Sequence, residues 1–245
     1  KRMGVGVRHD LPMSAVAEGV APTKAWKQER YGKDWRIGDT INSSIGQGYV
    51  LASPLQLAVM VSRLASGKAV TPRLIRSMDG VEVPVPAPEP LGLQEAWLDH
   101  VRKGMIAVVN GAHGTAGKAK IVLSEGKMAG KPGTSQVRNI SAAERARGVI
   151  SNSQLPWERR DHALFVCFAP ADTPKYAVSL IVEHGSGGST TAAPIARDIL
   201  LFALNDGLPP LEAYPSSQRK AVQSRFDALD LVDPDTVGTG AKSRA

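Results

Sequence analysis

Cysteine is almost absent from this 245-residue chain: Cys167 stands alone, so no disulfide can form within it. None is needed, because a chain of this length buries on the order of 70–75% of its unfolded surface. A lone cysteine also leaves no zinc-finger spacing. Long apolar runs are missing too, and without about 18 consecutive apolar residues no stretch makes a membrane-spanning helix. Lys1-Arg2 is followed only by Met3–Val7 before Arg8-His9-Asp10, which is too short for the apolar core of a signal peptide. Aromatics make up 5% of the chain, and none interleaves a basic motif. Acidic residues are outnumbered, 23 against 30 Lys and Arg, for a net charge of +7. The basic residues are scattered, however. Their densest stretches, Lys24–Arg36 and Arg138–Arg160, are broken by Glu29, Asp34, Glu144 and Glu158. That pattern is a solvated surface with a basic bias, and no nucleic-acid partner is expected.

A hydrophobic content of 42% makes the chain globular. At about 150 residues per domain, its length fits one large domain or two small ones. The opening has neither a helix-start nor a domain-start signal, and residue 1 is not methionine. The chain is therefore expected to be a piece of something longer, beginning in mid-domain. Residues 1–50 are rich in Gly and polar residues and are expected to form loops and short turns. Ser53 and Pro54 then mark the start of a helix whose residues Leu55 to Ala65 are apolar nearly all round. Four prolines exclude a helix or a central strand over 81–90. A second helix is expected over about 94–110, with Trp97, Val101, Met105 and Val108 on its apolar stripe.

The pattern then changes. A strand is expected within 127–137, then a long polar connection over 139–160. Ala163–Ala169 and Tyr176–Val182 follow as strands joined by a hairpin turn. A closing helix covers about 191–205, with Ile195, Ile199 and Phe202 on one stripe and Ala196, Leu200 and Ala203 beside it. Helices first, then sequential antiparallel strands, then a helix give an α+β fold: an antiparallel sheet with helices packed on it. Residues 1–205 read as one unit. Residues 206–245 read as a polar, partly disordered tail, with a short helix near 216–229 and disorder over the last ten positions.

The chemistry concentrates in Ala129–Val137. Lys131, Gly133 and Thr134 offer a cation, a residue without a side chain, and a hydroxyl on one strand. Gly133 lets a ligand lie against the backbone. The amide after it can meet a developing oxyanion, while Lys131 attracts a carboxylate or holds a proton network. Read alone, the same stretch is more simply a turn, a Gly-rich strand entrance with one Lys.

It does not stand alone. Lys131-Pro132-Gly133-Thr134 resembles the third motif, Lys-Thr/Ser-Gly-Thr/Ala, of the penicillin-binding transpeptidases and serine β-lactamases. Gly38-Asp39-Thr40 through Gly46-Gln47-Gly48, followed by Ser53-Pro54-Leu55-Gln56-Leu57-Ala58, resembles the class B members' entry to a buried helix. Asp161-His162-Ala163 through Asp172 resembles the strand after the motif, and Gly187-Gly188 through Arg197 the start of the closing helix. These matches run in the expected order over about 1–205. Trp35 before Gly38-Asp39-Thr40, and Gly-Thr-Ser-Gln-Val after Pro132, are most similar to the elongation-specific branch.

The resemblance implies a β-lactamase/transpeptidase-like fold and a peptidoglycan D,D-transpeptidase that uses no cofactor. A serine attacks the penultimate D-Ala carbonyl of a stem peptide, D-Ala leaves, and a neighbouring amine resolves the acyl-enzyme. β-Lactams mimic the substrate and trap the serine. Within this scheme Lys131 and Thr134 are catalytic, and Pro132, Gly133 and Ser135 touch substrate. The partners implied are stem peptides, glycan strands, β-lactams, a membrane glycosyltransferase and elongation-complex proteins. The place implied is the periplasmic face of the inner membrane, with the anchor outside these residues.

Two departures stand out. The family's Ser-x-x-Lys and Ser-x-Asn motifs are missing from their expected places. Literal Ser-x-x-Lys occurs only at Ser124–Lys127, which reads as a strand entrance, and at Ser217–Lys220 in the tail; Ser-x-Asn occurs nowhere. The nucleophile is therefore expected to precede residue 1. Pro132, in turn, lacks the hydroxyl that in the family helps hold a carboxylate. Hence a second reading: a degenerate, non-catalytic scaffold module. Among the remaining candidates, His162 and His184 suit structural roles better than metal ligation. Cys167 suits a buried apolar role, and Ser43, Ser44 and Gln47 suit turns and caps. The arginines of 138–160, beside the motif strand, suit solvent better than contact with a glycan strand or a partner.

Overall fold

Ser53, Pro54 and Gln56 start the helix that the sequence marks most clearly. In the computed structural model, which describes residues 1–123 and 126–230, helix α3 spans Pro54–Ser66. Ser53 Oγ accepts from Gln56 N while Gln56 Oε1 accepts from Ser53 N, a reciprocal cap, and Gly67 ends the helix in the left-handed region. Helix α4 (Glu95–Asn110) packs beside α3. Strands β3 (Ala129–Ser135), β4 (His162–Ala169) and β5 (Tyr176–Val182) form an antiparallel sheet in that order, and α6 (Ala193–Leu204) closes over it. The expected α+β architecture is present.

Strand alternation divides the core. Ala163, Phe165 and Cys167 of β4 face α6, with Ala193, Ala196 and Leu200. Val166 and Phe168 face the opposite way, against Val61 and Leu64 of α3 and Leu98 and Met105 of α4. Each fully buried Phe contributes about 1.5–3 kcal/mol by leaving water. The sheet is thus sandwiched between helices, and β3 lies at one of its edges.

Residues 1–50 depart from the expected loops. Helix α1 (Lys24–Tyr31) is capped by Thr23 and ended by Gly32, and α2 (Ile37–Ser44) follows it. Both are too polar for an apolar stripe to reveal them. Within 68–90 the only regular pieces among the described residues are β1 (Ser77–Met78) and β2 (Val81–Glu82), an exposed hairpin turning at Asp79-Gly80. The 139–160 connection holds a short helix, α5 (Ala142–Arg147), capped by Ser141.

The apolar stripes need correcting as well. Helix α4 buries Leu98, Met105 and Val109, whereas Trp97 and Val101 are exposed. Helix α6 buries Ala193, Ala196, Leu200 and Leu201, and its bulky residues Ile195, Ile199 and Phe202 point outward. Small residues set the close helix–sheet approach, so the larger neighbours were the more visible but the wrong markers.

The tail helix α7 (Ser216–Asp227) matches the one expected near 216–229 and buries Val222. Arg197, itself buried, ties it down. Its Nη1 donates to Gln218 Oε1 at 2.7 Å and to Lys118 O at 3.0 Å, and its guanidinium stacks on Tyr214. Burial among these groups pushes the Tyr214 hydroxyl up to about 12. Ser124 and the last ten residues, on which the sequence carried expectations, lie outside the described residues.

Candidate active site

Lys131 to Ser135 lie together on β3. Pairing runs Lys131 with Val166, Pro132 with Phe165, Gly133 with Leu164, Thr134 with Ala163 and Ser135 with His162. A Cβ built on Gly188, ahead of α6, would collide with Gly133 N, Gly133 O and Leu164 O together. Those atoms therefore sit in the β3–β4 ladder, and by alternation the backbone groups of Pro132 and Thr134 face the free edge. Pro132 consequently breaks no ladder bond, which is why a proline is tolerated here. Gly188 must be glycine for a different reason: the closing turn presses on the strand backbone itself.

Lys131 is exposed, its Nζ donates to Pro132 O at 3.0 Å, and it has no acidic partner among the described residues. Its side chain borders an apolar groove of about 740 Å3 lined by Met60, Leu64, Trp97, Val101, Met105 and Val166. Thr134 instead borders a polar cavity of about 500 Å3 with Asn42, Gln47, Gln136, Arg145 and Asp161. An extended peptide can add to the free edge as a further strand, with the Thr134 N–H available to a carbonyl and Lys131 to a negative charge. Among the described residues, no serine or cysteine side chain hydrogen-bonds Lys131 or a histidine, so no assembled nucleophile is seen there.

Most of the other candidates find structural partners. His184 N donates to His162 Nδ1 at 2.9 Å, His184 Nδ1 meets Arg160 O at 3.0 Å, and Trp157 packs on His184. Cys167 is fully buried opposite Gly130, and desolvation raises its thiol far above the ordinary value. Ser44 Oγ donates to Ile41 O, whereas Ser43, in the last turn of α2, buries its Oγ without a hydrogen-bond partner among the described residues. Ser217 lies on α7, whose neighbouring Gln218 is bound to Arg197. Gln47 keeps its place in the turn, its N–H donating to Asn42 O, and also lines the Thr134 cavity.

Several residues position the site through bonds that the sequence does not reveal. Buried Lys27 donates to Asp39 Oδ2 at 2.5 Å and to Asp34 O, and Asp39 also accepts from Arg36 N. Those bonds, the Lys27 one first, hold the Asp39 carboxyl below its ordinary value. Trp35 Nε1 donates to Thr40 Oγ1 at 2.8 Å, so the Trp35–Thr40 wording is a scaffold for α2. Gln56 is completely buried and donates to Val7 O and Glu18 O, stapling the opening residues to α3. In the β3–β4 loop, Arg138 grips both Glu144 oxygens at 2.7 Å, and Ile150 N adds a third bond. These bonds, the Arg138 pair above all, hold the Glu144 carboxyl down at about 2.

Comparison with known proteins places this strand in a family. Residues 1–201 match the penicillin binding protein transpeptidase domain. The chain is 36% identical over 240 residues to peptidoglycan D,D-transpeptidase MrdA of Haemophilus influenzae, covering 94% of this chain and 36% of that protein. It is 33% identical over 217 residues to MrdA of Escherichia coli K12, covering 85% and 34%. The chain thus spans about a third of the length of these curated relatives. Among solved structures, Pseudomonas aeruginosa PBP2 in complex with WCK 5153 superposes with a TM-score of 0.67 at 37% identity, over 87% of this chain and 45% of that one. The Helicobacter pylori complex of PBP2 with MreC also gives 0.67, at 30% identity, over 84% and 35%. By the match that spans most of its length, the chain belongs to the penicillin-binding protein transpeptidase domain family.

Proposed function

We propose that this chain is the C-terminal part of a serine-type peptidoglycan D,D-transpeptidase of the elongation-specific class. The observation that supports it most is the free edge of β3, where Lys131 and the outward backbone of Thr134 lie side by side. A stem peptide adds along this edge. The Thr134 N–H receives the carbonyl oxygen as it becomes an oxyanion, Gly133 gives clearance, and Ser135 touches the peptide. Lys131 attracts the terminal carboxylate and steadies the proton network. The attacking serine comes from residues preceding this chain, in a Ser-x-x-Lys whose three-residue spacing lets the lysine take the serine's proton. The apolar groove beside Lys131 suits the segment bearing it. Cleavage expels D-Ala, and an amine of a second stem peptide then releases the acyl group.

The same reading places the protein at the periplasmic face of the inner membrane, with glycan strands and β-lactams as ligands. A membrane glycosyltransferase and elongation-complex proteins are its partners; the Helicobacter pylori complex of PBP2 with MreC supports the latter. Residues 1–205 serve as the transpeptidase part and the remainder as an appended tail. Pro132 favours a second reading, a non-catalytic scaffold, because it removes a carboxylate-binding hydroxyl. Incubating the full-length protein with a D-Ala-D-Ala stem peptide and an amine acceptor separates the two. Release of D-Ala with cross-linked product is expected; peptide binding with no release supports the scaffold.

A further inference from the structure

The free edge of β3 leads past Thr134 to the polar cavity lined by Asn42, Gln47, Gln136, Arg145 and Asp161. Two of these residues are charged, and they differ in what occupies them. The Asp161 carboxylate is turned to the chain: Val137 N donates to one oxygen at 3.4 Å and Asn152 Nδ2 to the other at 3.0 Å. Arg145 is exposed and has no acidic partner among the described residues. Its neighbour Glu144 cannot serve, because Arg138 holds both of that carboxylate's oxygens and Ile150 N a further lone pair. With Ser141 capping α5 through Glu144 N, the clasp fixes the short helix that bears Arg145. The result is an uncommitted guanidinium held at the rim of a cavity.

The direction of a bound peptide follows from the two cations. Lys131 draws the terminal carboxylate of the leaving residue, so the retained part runs the other way, past Ser135 and Gln136. At about 3.3 Å per strand residue, the residue before the one whose carbonyl meets the Thr134 N–H lies about 3.3 Å further along the edge, and its side chain can extend beyond that toward the cavity that Thr134 borders. We propose that Arg145 is a specificity-determining residue that binds a side-chain carboxylate on the acyl part of the stem peptide. The planar guanidinium takes a carboxylate with two parallel hydrogen bonds, whereas the neutral amide of the same shape accepts through one oxygen and offers no charge. This inference rests on the transpeptidase reading above, and it sharpens that reading by naming a substrate class: donors that are acidic close to the cleaved bond.

The test uses the full-length protein and two peptides ending in D-Ala-D-Ala. In one, the preceding residue carries a free side-chain carboxylate; in the other, the corresponding primary amide. The carboxylate peptide is expected to give a kcat/KM for D-Ala release at least about tenfold higher. Arg145→Ala brings that ratio close to one, chiefly through KM, and Arg145→Lys keeps part of it. Arg147→Ala, which removes a neighbouring exposed charge outside the cavity, leaves the ratio unchanged. A wild-type ratio near one overturns the inference. So does a ratio that survives in Arg145→Ala, or one that falls equally in Arg147→Ala. Acylation of the wild type by benzylpenicillin keeps the two failures apart. If it proceeds while the ratio is flat, only the Arg145 role is wrong. If neither penicillin nor peptide reacts, the transpeptidase reading falls and the inference with it.

Discussion

On the proposed transpeptidase reading, Pro132 is the residue expected to limit efficiency. Its ring costs the sheet nothing, since its backbone faces the free edge, yet its missing hydroxyl leaves one fewer donor for a carboxylate. One hydrogen bond to a charged group is worth about 1.5–3 kcal/mol, or roughly 10–150-fold. Pro132→Thr in the full-length protein is therefore expected to speed acylation by a β-lactam at least about tenfold in stopped-flow; an unchanged rate would make the proline neutral. At this scale sequence was most informative where residues are contiguous. Lys131 to Ser135 are legible because one strand carries them all. Arg145, Gln47 and Asp161 were not, because they meet Thr134 only after two loops have folded back, and nothing in their local spacing records that.

At the scale of elements, caps predicted better than apolar stripes did. Ser53 and Pro54 located the start of α3 to the residue, whereas Thr23 and Gly32, which bracket α1, went unread in a region taken as loops. The stripes of α4 and α6 misled because bulk was equated with burial, while the sheet admits the smaller faces. The α5 clasp makes a prediction with a definite sign. Glu144 is held at about 2 in the folded loop, below the ordinary 4.5, so the pairing contributes fully above pH 4.5 and is lost as pH falls toward 2. The Ile150 amide, which donates to Glu144, is expected to lose exchange protection, corrected for intrinsic rate, across that window. Protection that is unchanged down to pH 2 would contradict the clasp.

Over the whole molecule, the helix–sheet–helix layering was legible from the order of elements, and the family from four motifs in sequence. How the tail is fastened was not, since Arg197, Lys118 and Gln218 are far apart in the chain. Arg197→Met is expected to lower stability by about 1.5–3 kcal/mol, the value of hydrogen bonds made by a buried charge, read from urea unfolding. It should also open 206–230 to proteolysis before the sheet; equal cleavage of tail and sheet would refute a local latch.

The central claim is that β3 serves a serine that lies outside these residues. Fluorescent penicillin applied to the full-length protein, followed by mass mapping of the labelled peptide, tests it most directly. The adduct is expected on a serine of a Ser-x-x-Lys preceding residue 1, weakened at least tenfold by Lys131→Ala, and absent when this chain is treated alone. An adduct within these 245 residues, or labelling indifferent to Lys131→Ala, would contradict it.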